Sequence, residues 1–228
     1  MHQKSTSADT PVDHATLRRQ QGHWTHTFAA HSDMYGQEPS APARAAATLF
    51  QAEGITTLLE LGAGQGRDAL FFARQGFRVQ ALDVAAVATA AIDAKAAAAG
   101  LAAALTTLRH DARDLLPFDA GTFDACYTHM LLCMALTTAE IECLVAEVRR
   151  VLRPGGLFVY TVRTTNDAHY GAGIARGDDM YEHGGFIVHF FSRALVDRLA
   201  AGWALLDMTD FEEGELPRRL LRVTMRRG

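Results

Sequence analysis

The fold is decided by one stretch of sequence, LELGAGQGRD at residues 59–68. A short apolar run at 55–61 leads into it and is typical of a strand covered on both faces. Helix-forming residues follow, and Gly76 is expected to end that helix. Glycines between a strand and a helix let the backbone approach a ligand closely, because no Cβ atom intervenes. In an open α/β sheet this turn lies at the carboxyl edge, where ligands bind.

The rest of the chain repeats strand and helix about five times and closes on two strands. Further strands are predicted at 77–83, 105–109, 123–127, 157–162, 203–210 and 220–225. Helices are predicted at 41–52, 68–74, 85–99, 137–152 and 192–201. This alternation predicts an α/β fold, with one doubly wound, mostly parallel sheet and helices on both of its faces.

Two segments depart from that alternation. The first twenty or so residues are polar and aperiodic and predict a mobile arm, so 1–40 is expected to be an arm and cap segment. Residues 41–228 are then one domain. Within it, residues 163–190 are rich in Gly, Asp, His and Tyr and lengthen the connection after the fifth strand. A glycine-bearing loop at the ligand edge is expected to act as a lid that closes over the site.

Composition argues against several classes of protein. Lys and Arg total 22 against 26 Asp and Glu, a net charge of −4, which gives no overall attraction to nucleic acid or to anionic membranes. Three cysteines are too few for a disulfide framework and match no common zinc spacing. The amino terminus lacks the apolar core of a signal peptide, and the alanine-rich stretch at 85–105 is interrupted by charged residues. We therefore expect a cytoplasmic protein with no metal, no nucleic-acid partner and no membrane partner.

Acidic residues end the next two strands. Asp83 lies nineteen residues after Gly64, at a position where a carboxylate accepts hydrogen bonds from a ribose diol. An N-cap for the following helix is the alternative role. Asp111 follows the third strand, where it is placed to accept from an adenine amino group, although by itself it also suits a turn. Arg67 replaces the third glycine of the dinucleotide fingerprint, so the turn is less suited to a pyrophosphate.

These motifs together resemble the core of the class I S-adenosylmethionine-dependent methyltransferases. The resemblance covers residues 55–162: 59–68 is similar to the first motif of the family, Asp83 to its ribose ligand and Asp111-Ala112 to its adenine-side pair. The segments 123–127 and 147–156 are similar to its fourth strand and to the helix and turn before its fifth. It implies a seven-stranded sheet of order 3-2-1-4-5-7-6 with strand 7 antiparallel.

The same resemblance implies S-adenosylmethionine as the cofactor. The residues it assigns to cofactor binding are Tyr35, Glu60, Gly62, Ala63, Gly64, Asp83, Val84, Asp111, Ala112 and Thr128. Tyr35 is included because an aromatic face stabilises a sulfonium cation, with packing under the next helix as the alternative. Thr128 is assigned a backbone contact to the methionine part.

The implied reaction is an in-line displacement of a methyl group by a small-molecule acceptor. A soft nucleophile needs no base, whereas a hydroxyl or an ammonium needs a nearby proton acceptor. His129, just after the fourth strand, and His169 in the lid are the candidate bases, and simple hydrogen bonding in place is the alternative for each. The candidate substrate-binding residues in the same region are Arg163, Tyr170, Tyr181 and His189.

The acceptor class is indicated only loosely. Residues 127–130 read YTHM, unlike the N/D-P-P-Y/F pattern of enzymes that methylate amino groups of nucleobases or of protein glutamine. The segments 35–39 and 190–192 are similar to small bacterial tellurite-resistance-like methyltransferases, which suggests a thiol or chalcogen oxyanion. The alternatives are a nicotinamide-dependent oxidoreductase and a non-catalytic domain that binds S-adenosylmethionine. Either a monomer or a homodimer is expected.

Overall fold

The structure, a computed structural model, describes residues 11–214 and 218–228. Its helices are α1 (His14–Ala30), α2 (Ala41–Ala52), α3 (Arg67–Arg74), α4 (Ala86–Ala98), α5 (Thr138–Val151) and α6 (Arg193–Leu199). Its strands are β1 (Thr57–Leu61), β2 (Arg78–Asp83), β3 (Leu105–Arg109), β4 (Phe123–His129), β5 (Leu152–Arg163), β6 (Ile174–Ala175), β7 (Met180–His183), β8 (Phe186–His189), β9 (Trp203–Glu213) and β10 (Arg218–Arg227).

Seven of the strands form one sheet in the order β3-β2-β1-β4-β5-β10-β9. The first five are mutually parallel, and β10 runs antiparallel to both of its neighbours. With β9 and β10 counted as the sixth and seventh strands, this is the order 3-2-1-4-5-7-6. The predicted fold class is confirmed.

Each face of this sheet carries its own apolar core, because neighbouring residues of a strand point to opposite faces. Leu58 of β1 belongs to the cluster that contains Phe50 of α2, together with residues of α3 and α4. The next residue, Leu59, belongs to the cluster that contains Ile141 of α5, together with residues of α6. All four side chains are fully buried. The nearly continuous apolar run of β1 therefore follows from its position between two helical layers.

Local capping fixes the start of the helices beside the site. Ser40 caps α2 by accepting from the backbone N–H of Ala43 at 3.1 Å. Thr137 and Glu140 form a reciprocal capping box at the start of α5, which satisfies two backbone N–H groups there. β5 begins five residues earlier than predicted, since Leu152 already pairs with β4 before the sheet register shifts.

Part of the segment predicted as a mobile arm is helical, because α1 begins at His14; residues 1–10 of that arm lie outside the described residues. Tertiary contacts stabilise this helix. Leu17 packs against Met180 and Ile187, whereas Phe28 packs against residues at the start of α4. Such contacts leave little periodic signal in a helix whose remaining residues are mostly polar.

The segment after β5 is also more ordered than a loop. β6, β7 and β8 form a separate three-stranded antiparallel sheet, which we call the lid sheet. Gln20 of α1 donates to the carbonyl of Gly185 at 3.0 Å, and Trp24 of α1 lies 5.2 Å from the ring of Phe186. Helix α1 and the lid sheet therefore form one continuous cap. None of the helices in residues 11–214 and 218–228 has the length and hydrophobicity needed to cross a bilayer.

Candidate functional site

The glycine-rich turn between β1 and α3 is joined directly to the end of β2. The backbone N–H groups of Gly62 and Ala63 both donate to the carbonyl of Leu82, at 2.8 and 3.0 Å. Gly64 N–H donates to Oδ2 of Asp83 at 2.8 Å, and Ala85 N–H donates to its Oδ1 at 2.9 Å. Burial raises the pKa of Asp83, and the two backbone donors oppose that rise. The structure thus brings the turn and the predicted ribose ligand together at the carboxyl edge.

Two glycines of this turn are required by close approach as well as by backbone conformation. Gly62 has φ +70°, and a Cβ atom there would lie 2.9 Å from Cβ of Leu131. Gly66 has φ +86°, and a Cβ atom there would lie 2.6 Å from Cγ1 of Ile92 in α4. The first glycine admits the segment after β4, and the other lets α3 pack closely against α4.

Glu60 is a buried carboxyl group behind the turn. It is 3% exposed, and among the described residues its Oε2 has no hydrogen-bond partner. Burial, aided by the charge of Asp68, raises the pKa of Glu60 well above its ordinary value. Asp68 is satisfied, since it accepts from the Ser40 hydroxyl at 2.7 Å and from the Tyr127 hydroxyl at 3.3 Å. Glu60 is therefore an acceptor that lacks the donor its burial requires.

Asp111, the predicted adenine ligand, is engaged by two groups. Arg113 N–H donates to its Oδ1 at 3.1 Å, and Gln21 of α1 donates to its Oδ2. Of the neighbouring positions, Ala112 is partly buried against the core and Val84 accepts from the Arg109 side chain at 3.2 Å. Helix α1 therefore reaches the position that the resemblance assigns to adenine.

The residues that follow α1 are hydrogen-bonded to the glycine turn. The side-chain amide of Gln65 donates to the carbonyl of His31 at 2.6 Å, and its oxygen accepts from Met34 N–H at 3.1 Å. The ring of Phe28 lies 3.5 Å from the position that a Cβ atom on Gly64 would occupy. The cap therefore contacts the turn itself.

The end of β4 carries a hydrogen-bonded chain of side chains. Thr128 donates to the carbonyl of Leu61 at 2.9 Å, which joins β4 to the end of β1. His129 contacts the Thr161 hydroxyl through Nδ1 at 2.8 Å and Oε2 of Glu213 through Nε2 at 3.4 Å. Met130, the residue after His129, has φ +66°, so the chain turns directly after β4.

Tyr35 lies at the same edge of the sheet. The Arg67 guanidinium carbon is 6.0 Å from the centre of its ring, and Arg67 Nη1 is 3.4 Å from its carbonyl oxygen. Burial of the hydroxyl raises its pKa although 43% of the residue is exposed, and the charges of Arg218, Arg67 and Glu213 act on it. Tyr35 is therefore grouped with Arg67 and with the ends of β9 and β10, rather than packed under α2.

The lid candidates form a second group. Arg163 is buried and bonds Oδ1 of Asp167 at 2.5 Å and Nδ1 of His169 at 2.8 Å. Its guanidinium also lies 5.2 Å from the ring of Phe190. The ring of His169 stacks on that of His183 at 5.1 Å. Arg163 and His169 are thus held by their neighbours at the base of the lid.

The remaining lid candidates are aromatic or buried. Tyr170 donates to Oδ1 of Asp179 at 2.8 Å and lies 5.4 Å from Tyr181. Burial, together with this hydrogen bond, raises the pKa of Tyr170 to about 12. His189 is 1% exposed and contacts the Leu136 carbonyl through Nδ1 at 2.7 Å, and burial lowers its pKa. Within the described ranges, no hydrogen bond or ion pair joins these side chains to His129.

Sequence reasoning missed three contributors to the site: Gln21, Gln65 and Glu213. Gln21 lies in the segment predicted as an arm, and Gln65 lies between two glycines of the turn. Glu213 ends β9, far along the chain from the motifs. None of these carries a signal apart from the fold that brings it to the edge. In the part of the chain that the structure describes, no three metal-ligating side chains come together as a metal site would need.

Comparison with known families and curated proteins gives one match. A family described as "Methyltransferase domain" matches residues 58–156, which begin in β1 and end within β5. No curated protein matches the chain.

Solved structures share the whole fold. A Burkholderia thailandensis 1,6-didemethyltoxoflavin-N1-methyltransferase, bound to 1,6-didemethyltoxoflavin and S-adenosylhomocysteine, is 20% identical with TM-score 0.75, over 96% of this chain and 92% of that one. The magnesium protoporphyrin IX methyltransferase of Synechocystis, with S-adenosylhomocysteine, is 11% identical with TM-score 0.72, over 93% and 100%. The [4+2]-cyclase SpnF is 19% identical with TM-score 0.68, over 96% and 98%. At these identities the similarity shows the fold alone. One of these structures, SpnF, is named for a cyclisation, so the shared fold does not determine the reaction.

Proposed function

We propose that this chain is a class I S-adenosylmethionine-dependent methyltransferase and that it transfers the methyl group to a small-molecule acceptor. The observation that carries the proposal is the joined pair of the glycine turn and Asp83, with the Gly64–Asp83 hydrogen bond at 2.8 Å. A glycine-rich turn beside a carboxylate suits a nucleoside whose ribose hydroxyls donate to that carboxylate. Arg67, which stands where dinucleotide-binding turns have glycine, faces Tyr35 and so favours this reading over a nicotinamide cofactor.

The buried carboxyl group of Glu60 is a second feature that matches S-adenosylmethionine. The methionine part of S-adenosylmethionine carries an ammonium group, which is the donor that Glu60 Oε2 lacks. Asp111 would accept from the adenine amino group, once Gln21 releases one of its oxygens. When bound, the sulfonium supplies an electrophilic methyl group. The protein's contribution is alignment of the acceptor with it, worth up to about 7–11 kcal/mol in favourable intramolecular cases.

The cap favours a small acceptor. Helix α1 and the lid sheet contact each other through Gln20 and Phe186, and α1 contacts the glycine turn through Phe28. A duplex or a folded protein segment would have to displace these contacts, and the net charge of −4 gives a polyanion no attraction. The first of the structural neighbours, which also binds a small molecule, agrees with this choice.

Calorimetry of the full chain with S-adenosylhomocysteine and with NAD tests the proposal. We expect S-adenosylhomocysteine to bind and Asp83→Ala to weaken it by about tenfold or more, because hydrogen bonds to a charged group contribute about 1.5–3 kcal/mol. Asp119→Ala, which removes an exposed carboxylate in the loop before β4, is the matched control and should bind normally.

The alternatives predict different results. Binding of NAD in place of S-adenosylhomocysteine, or full affinity in Asp83→Ala, would overturn the cofactor assignment. A protein that binds S-adenosylhomocysteine but transfers no label from methyl-tritiated S-adenosylmethionine to a broad set of amine, phenol, carboxylate and thiol acceptors would be a binding domain. The tellurite-like subgroup stays a prediction that this acceptor set also tests.

A further inference from the structure

Glu213 lies at the site although β9 is the edge strand of the sheet. Two strands, β5 and β10, separate β9 from β4. Even so, Oε2 of Glu213 is 3.4 Å from Nε2 of His129 at the end of β4. The side chain of Glu213 is 30% exposed and that of His129 is 13% exposed. The carboxylate therefore borders open space, whereas the imidazole lies behind it.

The hydrogen bonds around His129 are compatible with a hydrogen on Nε2. Met130 N–H donates to the Thr161 hydroxyl oxygen at 3.1 Å, so the Thr161 hydroxyl hydrogen is free to donate to Nδ1 of His129 at 2.8 Å. A neutral imidazole that accepts at Nδ1 has its hydrogen on Nε2, directed at Glu213. In this tautomer His129 donates to Glu213 through Nε2.

The electrostatics of Glu213 keep it ionised. The hydrogen bond from His129 lowers its pKa, against an opposing effect of burial, and the charges of Arg67 and Arg218 lower it further. A carboxylate in this state can accept a hydrogen bond or a proton but has none to donate.

This pair borders the part of the turn where the methyl group is expected. Thr128, directly before His129, is bonded to the end of β1, and Leu131, two residues after it, lies against Gly62. On its other side Glu213 is influenced by Arg67, the first residue of α3. Glu213 is thus joined to the start of the turn through His129 and is influenced by the charge of Arg67 at the end of the turn.

We propose that Glu213 is the proton acceptor for the methyl acceptor, that His129 is the residue that positions it, and that the acceptor reacts through an N–H or O–H group. The inference rests on the proposed function. The acceptor nitrogen or oxygen would donate its hydrogen to Oε1 of Glu213, which has no hydrogen-bond partner among the described residues. Its lone pair forms the new bond to carbon as the carbon–sulfur bond breaks, and the electron pair of that bond stays on sulfur. The proton passes to the Glu213 carboxylate and from there to solvent.

The same geometry counts against a soft anionic acceptor. A thiolate or a chalcogen oxyanion has no proton to give and would face a carboxylate of like charge. The acceptor class suggested by the subgroup resemblance is therefore disfavoured at this position.

A comparison of the affinities of sinefungin and S-adenosylhomocysteine tests whether the Glu213 carboxylate lies at the position of methyl transfer. Sinefungin has a carbon atom bearing an ammonium group in place of the sulfur of S-adenosylhomocysteine. Its cation therefore lies where the N–H or O–H group of the methyl acceptor would donate to Glu213. We expect the wild-type protein to bind sinefungin more tightly than S-adenosylhomocysteine. In Glu213→Gln the ratio of these two affinities should fall by about fivefold, which is the upper range for a partly exposed ion pair. Glu213→Asp should retain part of it. Glu212→Gln changes the same charge one residue away, on an exposed position of β9, and should retain all of it.

The positioning role of His129 has its own readout in the free protein. His129→Ala should raise the pKa of Glu213, measured from its side-chain carboxyl ¹³C signal, because it removes the largest stabilising contact of that carboxylate. His129→Gln, which keeps an amide donor, should restore part of the difference.

The outcomes separate the inference from the proposed function. An unchanged sinefungin preference in Glu213→Gln, or an unchanged titration of Glu213 in His129→Ala, overturns the inference, while normal binding of S-adenosylhomocysteine leaves the proposed function standing. Failure of the wild-type protein to bind S-adenosylhomocysteine overturns the proposed function itself.

Discussion

Replacing Glu60 by Gln separates the stability of the protein from its affinity for the cofactor. Glu60 is 3% exposed, its Oε2 has no hydrogen-bond partner within the described residues, and burial holds its pKa well above the ordinary range. The isosteric amide keeps the shape of the side chain and removes the titrating group. It also offers an N–H donor to a region that contains the carboxylate of Asp68, whose charge acts on Glu60.

The expected magnitudes follow from these two roles. An unsatisfied buried polar group costs about 1–3 kcal/mol, so partial relief should stabilise the cofactor-free protein by about 1 kcal/mol. For a chain of this size that corresponds to a rise in Tm of about 2–4 °C. Loss of the charge-assisted hydrogen bond to the cofactor ammonium should weaken S-adenosylhomocysteine binding by about tenfold to a hundredfold, from about 1.5–3 kcal/mol.

The gain in stability should depend on pH. Because the pKa of Glu60 is raised in the folded state, the native protein holds that proton more tightly than the unfolded chain does. The wild-type protein therefore loses stability as pH rises from the ordinary glutamate pKa to the raised one. Glu60→Gln removes this loss, so its Tm advantage should be larger at about pH 8 than at about pH 5.

Calorimetric melting of both proteins at the two pH values, with titration of S-adenosylhomocysteine, checks these expectations. A variant that is less stable than the wild type at both pH values and binds S-adenosylhomocysteine equally well would refute the assignment of Glu60.

Two further substitutions test the cap and the turn. Gln21→Ala removes the donor that occupies Asp111, so calorimetry should show S-adenosylhomocysteine binding up to about fivefold tighter, from the roughly 1 kcal/mol of one hydrogen bond. Weaker binding would show instead that Gln21 supports the site. Gly66→Ala puts a Cβ atom 2.6 Å from Ile92 at φ +86°, so chemical denaturation should show a loss of about 2 kcal/mol or more. A loss below about 0.5 kcal/mol, typical of surface positions, would contradict the packing argument.

The sequence was sufficient for the sheet because its signals are local. The strand before Gly62 is apolar on both faces, and Ser40 and Thr137 cap their helices as expected from their side chains alone. Asp83 was found because a fixed spacing from the glycine turn brings the second strand end beside it. Each of these features depends on residues close in sequence or on a rule of sheet topology.

The cap was not predictable by the same means. Gly-, Asp- and His-rich sequence predicts a loop, and the structure has the lid sheet there, stabilised by pairing between β7 and β8 and by contact with α1. Helix α1 in turn depends on Leu17, which is buried only because Met180 and Ile187 pack on it. Helix α1 and the lid sheet, each of which has a weak signal in its own sequence, thus stabilise each other. Neither could be predicted without the contacts that the other makes.

His129 shows the same limit within the site. As a lone histidine after a strand it suited either a base or a structural role, and nothing near it in sequence decides between them. The deciding groups are Thr161, one strand away, and Glu213, three strands away in the sheet. Thr161 and Glu213 each contact one ring nitrogen of His129, and under the proposal above the Glu213 carboxylate, rather than the imidazole, accepts the proton of the methyl acceptor. Sequence reasoning therefore located this edge of the sheet through His129. The role of His129 as a base stays a prediction, beside the proposal that places the base on Glu213.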